Sequence, residues 1–210
     1  MSNSDSMQTN RLLAAVAAGS PSALDELLRL YTPYMKRILR FRISRELSAR
    51  VDVSDVVQET QMVVMRRIGE FVTKRPASLR VWLRSRAIEQ LIVQHRRHVT
   101  AEMRTVRRET AINNASSMAI ALTLLTDTPS EMLQKNEFAE QVRDLIESLN
   151  DNDREMLTLR HAEGLTNSEA AEALNIEPAT ARKRYGRALY RLAETAVAAG
   201  LEGISFGENI

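Results

Sequence analysis

Apolar residues recur every three or four positions along most of the chain, the spacing of helices with one buried face. Leu12, Leu13 and Val16 mark a short helix over 8–18, which Gly19-Ser20-Pro21-Ser22 ends. Ser20 before Pro21 has the form of an N-cap followed by proline at the first helical position. A longer pattern runs to about Ser48 through Leu24, Leu27, Leu28, Tyr31, Tyr34, Met35, Ile38 and Leu39, with a kink or break expected at Pro33. A third helix is predicted over Asp52–Phe71, capped by Asp52 or Ser54, with Val56, Val57, Met62, Val63, Met65 and Ile68 as apolar surface. After a loop at Thr73–Ser78, a fourth covers Leu79–His98 with Leu83, Ala87 and Leu91 as its stripe and Ile88 and Ile92 as candidates to join it.

The pattern then changes. Asn, Ser, Thr and Pro cluster between 99 and 135 and read as a linker, interrupted by apolar Met118–Leu125. Periodicity resumes with Phe138, Val142, Leu145, Ile146 and Leu149. A turn at Asn150–Asp153 leads to a helix over Arg154–Ala162, with Gly164 as its expected C-cap. Thr166 and Glu169 form a capping-box pattern before Ala170, Ala171 and Leu174. The turn Asn175-Ile176-Glu177 and Pro178 open a last helix ending near Val197. The predicted architecture is all-α: a helical bundle over 1–98, a linker over 99–135, a second helical domain over 136–197 and a tail over 198–210.

Composition agrees with helices. Aromatic residues are 4% of the 210, with seven Gly and five Pro, too few for an ordinary sheet protein. Absence of cysteine excludes disulfides and thiolate metal sites. No apolar run reaches the roughly 18 residues of a membrane span, and MSNSDSMQTN lacks a signal peptide's basic start and apolar core. A cytoplasmic chain with no membrane insertion is expected.

The net charge of +2 hides an uneven distribution. Residues 74–108 hold ten Lys or Arg against two acids, and 178–192 hold five with none, on an otherwise acidic chain. Two basic blocks imply two contacts with a polyanion. The second block lies on the longer helix of a helix-turn-helix pattern. There Ala181, Tyr185, Ala188 and Leu192 give a buried stripe, while Thr180, Lys183, Arg184 and Arg187, with Arg182 beside them, form a face able to enter a major groove. An ordinary helical hairpin with a solvated basic face is the competing reading.

The segment LNDNDREMLTLRHAEGLTNSEAAEALNIEPATARKRYGRALYRL (149–192) resembles region 4 of bacterial RNA polymerase sigma factors of the extracytoplasmic-function (ECF) class. Leu149, Arg154-Glu155, Leu159-Arg160, Glu163-Gly164-Leu165, Ser168, Glu169-Ala170, Thr180, Arg182-Lys183, Arg187-Ala188 and Leu192 follow that pattern in order and spacing. Ala170 and Ala181 stand where the family commonly has larger aliphatic residues. Asp55-Val56-Val57-Gln58-Glu59-Thr60 resembles the family's region 2 core. By that resemblance Asp55, Gln58, Glu59 and Thr60 contact the β′ clamp of core polymerase, and the β flap is a second contact. Asp55, Gln58 and Glu59 share a helix face by spacing alone, which also admits a metal site, an acid–base pair or a plain solvated face.

Arg80-Val81-Trp82-Leu83-Arg84 with His95-Arg96-Arg97 resembles the family's helix that meets the −10 element. The resemblance implies −10 contacts from Lys74, Arg75, Ser78, Arg80, Trp82, Arg86, Gln90, Gln94 and Arg97, the last four polar residues being read as one face. A lone Trp on a helix is otherwise more often core. Arg86 and Val93 stand where the family commonly has an aliphatic residue and an aspartate, and the loop lacks a Phe-Arg-Gly start. The linker resembles that of planctomycete-type members.

Function follows as an expectation: an alternative sigma factor that brings core polymerase to promoter DNA, is open to an anti-sigma partner, and needs no cofactor, metal or catalytic residue. The G-x-x-x-x-G-K-[ST] phosphate loop is absent, so melting would draw on binding energy. A helix-turn-helix regulator acting without polymerase is the alternative. A response-regulator output domain would need an α/β receiver, and a nuclease would need carboxylates or histidines clustered at a basic face.

Overall fold

A computed structural model describes residues 3–43, 47, 50–99 and 141–201. Most of the expected linker, Met118–Leu125, Phe138 and the tail beyond 201 lie outside the described residues. The chain divides into two compact units, one formed by Met1–Arg40 with Leu47–Arg104, the other by Phe41–Glu46 with Thr105–Ile210.

In the first unit α1 spans Asn3–Ala17, α2 Pro21–Arg42, α3 Val53–Lys74 and α4 Leu79–Val99, except that the last two residues of α2, Phe41 and Arg42, count with the second unit. Ser20 Oγ accepts from the Ala23 amide at 3.3 Å, as a cap should. Asp52 caps α3 by accepting from the Ser54 amide at 2.7 Å. α1 begins five residues earlier than the apolar pattern alone indicates, because its first turns are polar. α2 passes through Pro33 without ending. Tyr31, Tyr34 and Met35 around that proline are all buried, so packing offsets the missing amide. Leu27, Met35, Ile38, Leu39, Val56, Val64, Leu83 and Ala87 form the centre of this core.

In the second unit residues 141–148 are helical. α5 (Asp151–Leu157) follows, capped by Asn150 accepting from the Asp153 amide. It continues as a π-helical turn over Thr158–Ala162, where the Glu163 amide reaches back to the Thr158 carbonyl at 2.9 Å. Gly164 follows with φ 69°, the left-handed conformation that releases the chain from the helix. α6 (Asn167–Leu174) and α7 (Pro178–Ala198) complete the unit. Glu163 is fully buried and paired with Arg42 of the same unit, whose guanidinium also takes Glu155 in a two-pronged bond at 2.7 and 2.8 Å. Burial opposes the Arg42 charge, but the two carboxylates outweigh it and raise its pKa.

Among the described residues no helix is long and apolar enough to cross a membrane, and no His, Cys, Asp and Glu gather in a metal-binding group.

Candidate nucleic-acid interface

The capping box at the start of α6 is complete. Thr166 Oγ1 accepts from the Glu169 amide at 3.1 Å, and Glu169 returns the bond to the Thr166 amide at 2.8 Å. Asn175 ends α6 in the left-handed conformation, φ 52°, a role asparagine fills at low cost, and Pro178 starts α7. This three-residue turn sets the two helices against each other through Ala170, Ala171, Ala181, Tyr185, Ala188 and Leu192, all buried. Alanine at four of these six positions lets the backbones approach closely.

The opposite side of α7 is open. Thr180, Arg182, Lys183 and Arg187 are exposed and Arg184 is half-buried. Arg191 is committed elsewhere: it pairs with Asp153, which is 4% exposed. The cations expected to face DNA therefore lie together on one side, and the expected core positions on the other.

The first basic block divides differently. Lys74 and Arg75 are exposed, and Arg75 ends α3 at φ 39°. Ser78 accepts from the Val81 amide at 3.3 Å. Trp82 is half-buried with its ring 4.8 Å from that of Phe71. Gln90 is half-buried and Arg97 exposed, bonded to Glu59 of α3 at 3.3 Å. Arg80 and Gln94 are corrections to the expected reading face, at 7% and 8% exposure. Arg80 lies over the Tyr34 ring, 4.6 Å from its centroid. The reason lies in the spacing: 80, 83, 87, 91 and 94 are one helical stripe, so Arg80 and Gln94 flank Leu83, Ala87 and Leu91 on the core side. Arg86 is largely covered and bonded to Glu89 at 2.7 Å.

On α3, Asp55 and Gln58 are exposed and Glu59 is half-buried, so the three form an accessible acidic and amide face. Thr60 does not join it. It is fully buried and donates its hydroxyl to the Val56 carbonyl at 2.7 Å, which satisfies its polarity within the helix.

Residues 139–192 match the family "Sigma-70, region 4". Three curated relatives extend the likeness over nearly the whole chain. The ECF RNA polymerase sigma factor SigD of Mycobacterium tuberculosis is 29% identical over 95% of this chain and 91% of its own length. The ECF sigma factor ShbA of Streptomyces griseus is 28% identical over 86% and 91%, and the ECF sigma-E factor of Haemophilus influenzae 27% over 84% and 89%. The chain is an RNA polymerase sigma factor of the ECF type. A structure of CnrH in complex with the cytosolic domain of CnrY shares the fold, with a TM-score of 0.52 at 21% identity over 91% of this chain and 98% of that one.

This sigma factor directs core polymerase to specific promoters, where transcription initiates. Two features of its region 4 escaped the sequence reading. His161, at the π-helical turn, bonds through Nε2 to the Tyr185 hydroxyl at 3.1 Å. Burial, with Arg160 adding repulsion, pushes its pKa down to about 4, so it is neutral at pH 7. Arg160 lies 5.0 Å from the centre of the Tyr185 ring and donates to the Leu165 carbonyl. Tyr185, under the exposed face of α7, is thus held from the π turn. The second feature is Gly186, exposed in mid-helix, where glycine costs about 1 kcal/mol relative to alanine.

Proposed function

We propose that this sigma factor divides promoter recognition between its two basic blocks. α7 lies in the major groove of the −35 element, with Thr180, Arg182, Lys183, Arg184 and Arg187 on bases and phosphates. Lys74, Arg75, Ser78, Trp82, Gln90 and Arg97 contact the −10 element, where binding energy alone opens the duplex and no group of the chain does covalent chemistry. Capture of an unstacked base there would cost a few kcal/mol of stacking, offset by pocket contacts. Asp55, Gln58 and Glu59 dock on the β′ clamp, and the 136–197 domain meets the β flap. The protein works in the cytoplasm, and an anti-sigma protein is a further partner, as CnrY is for CnrH.

The observation that carries this reading is the separation on α7 of an open cationic face from a buried stripe. Run-off transcription with purified core polymerase and genomic fragments tests it. Specific transcripts that require the protein should weaken about 10-fold or more with Lys183→Ala or Arg187→Ala, since a bidentate base contact is worth roughly 1–3 kcal/mol. A protein that shifts DNA but neither binds core polymerase nor starts transcripts would return the helix-turn-helix regulator as the better reading.

A further inference from the structure

We propose that Gly186 is the point of closest approach between α7 and promoter DNA, its missing side chain letting Lys183 and Arg187 reach base edges. The proposal rests on the reading of α7 as a DNA-binding helix and deepens it. Among the described residues nothing asks for glycine at 186. The residue is not among those with positive φ, and a Cβ added there would meet no atom within 4 Å. It stands within a 21-residue helix, where glycine is among the least favoured residues. A use for bare backbone at this position is therefore sought outside the described residues.

Helical geometry says what lies outside. Arg182 and Lys183 are one turn before Gly186, Arg187 is next to it and Tyr190 one turn after, and all four are exposed. Bare backbone thus sits among cations, with no acid between Pro178 and Leu192. That surroundings complements a phosphate-flanked groove. A side chain at 186 would hold the helix off the groove floor and shorten the reach of Lys183 and Arg187, which act only over hydrogen-bond distances. Gly186 is thus a positioning residue that sets the depth of docking.

The test uses the full-length protein bound to core polymerase. Duplexes are selected from a randomised pool with the wild type, and binding to the winner and to a scrambled duplex is compared for Gly186→Ala, Gly186→Leu and Lys183→Ala. Both Gly186 variants should fold, with a thermal midpoint unchanged or raised by about 2–4 °C. Affinity for the selected duplex should nevertheless fall about threefold with Ala and about tenfold or more with Leu, while binding to scrambled DNA and its salt dependence stay as in the wild type, because no charge is lost. Lys183→Ala should weaken both and flatten the salt dependence. If the Gly186 variants bind like wild type while Lys183→Ala is impaired, the proposal is overturned and the reading of α7 stands. If Lys183→Ala also binds like wild type, or no duplex is enriched, both fall.

Discussion

α4 and α7 have the same length, 21 residues, and a similar wealth of arginine, yet they place it differently. α7 packs through a single stripe of alanines, Tyr185 and Leu192, so the face that carries Thr180, Arg182, Lys183 and Arg187 stays open. α4 carries two of its expected DNA readers, Arg80 and Gln94, on the stripe that also buries Leu83, Ala87 and Leu91. Charge in a sequence is therefore not the same as charge offered to a ligand. The side chains that continue a buried stripe are taken by the protein, whatever their polarity. A guanidinium can be kept there only with partners, and the Tyr34 ring is one of them.

Three experiments would break or sharpen this contrast. The largest effect is expected from acid, acting on the seat of α7. His161 is neutral in the fold with a pKa of about 4, against about 6.5 in the unfolded chain. Between those values the unfolded chain binds more protons, so stability is complete above about pH 6.5 and is lost as pH falls toward 4, by up to about 3 kcal/mol. Urea unfolding at pH 7 and pH 5 should show this loss in the wild type and a flatter response in His161→Gln. Equal slopes in the two proteins would remove His161 from the account.

A smaller effect separates the buried from the open cations. Arg80→Ala should destabilise the first unit by about 1–2 kcal/mol through loss of its packing on Tyr34, with promoter preference unchanged. A change in the preferred −10 sequence without a change in stability would restore Arg80 as a reader. The smallest concerns Arg97, which faces solvent and holds only the surface bond to Glu59 among the described contacts. Such a pair is worth about 1 kcal/mol or less. Arg97→Ala should leave the melting temperature nearly unmoved, yet reduce the salt slope of DNA binding by about one, as for a single lost phosphate contact.

Most of the fold was legible in local chemistry. Ser20-Pro21, Asp52, Thr166 with Glu169, and Pro178 each announce a helix start that the structure places within a residue or so, because each answers a backbone group that needs a partner. The buried stripe of α7 was legible for the same reason that it is simple: apolar and polar positions do not mix on it. The accessible set on α4 was harder, because sharing a face by spacing does not say which way that face points. Counting back from Leu83 and forward from Leu91 does place Arg80 and Gln94 on the core side. Thr60 could be recognised only by allowing a threonine to satisfy its hydroxyl on its own helix. The π turn at Thr158–Ala162 leaves no periodic trace in so short a helix, and the setting of His161 beside Tyr185 depends on it.

The tilted ring contact of Trp82 with Phe71 has a practical consequence. It is the sole tryptophan of the chain, and it belongs to the first unit, while Tyr185 and Tyr190 belong to the second. Emission excited at the red edge of the tryptophan band is therefore a private signal of the first unit. Its loss marks the unfolding of that unit alone, and its quenching by an added strand would report contact near the Thr73–Ser78 loop. The second unit is silent in that channel, so a single unlabelled sample, read by tryptophan emission and by total ellipticity, distinguishes which half has melted.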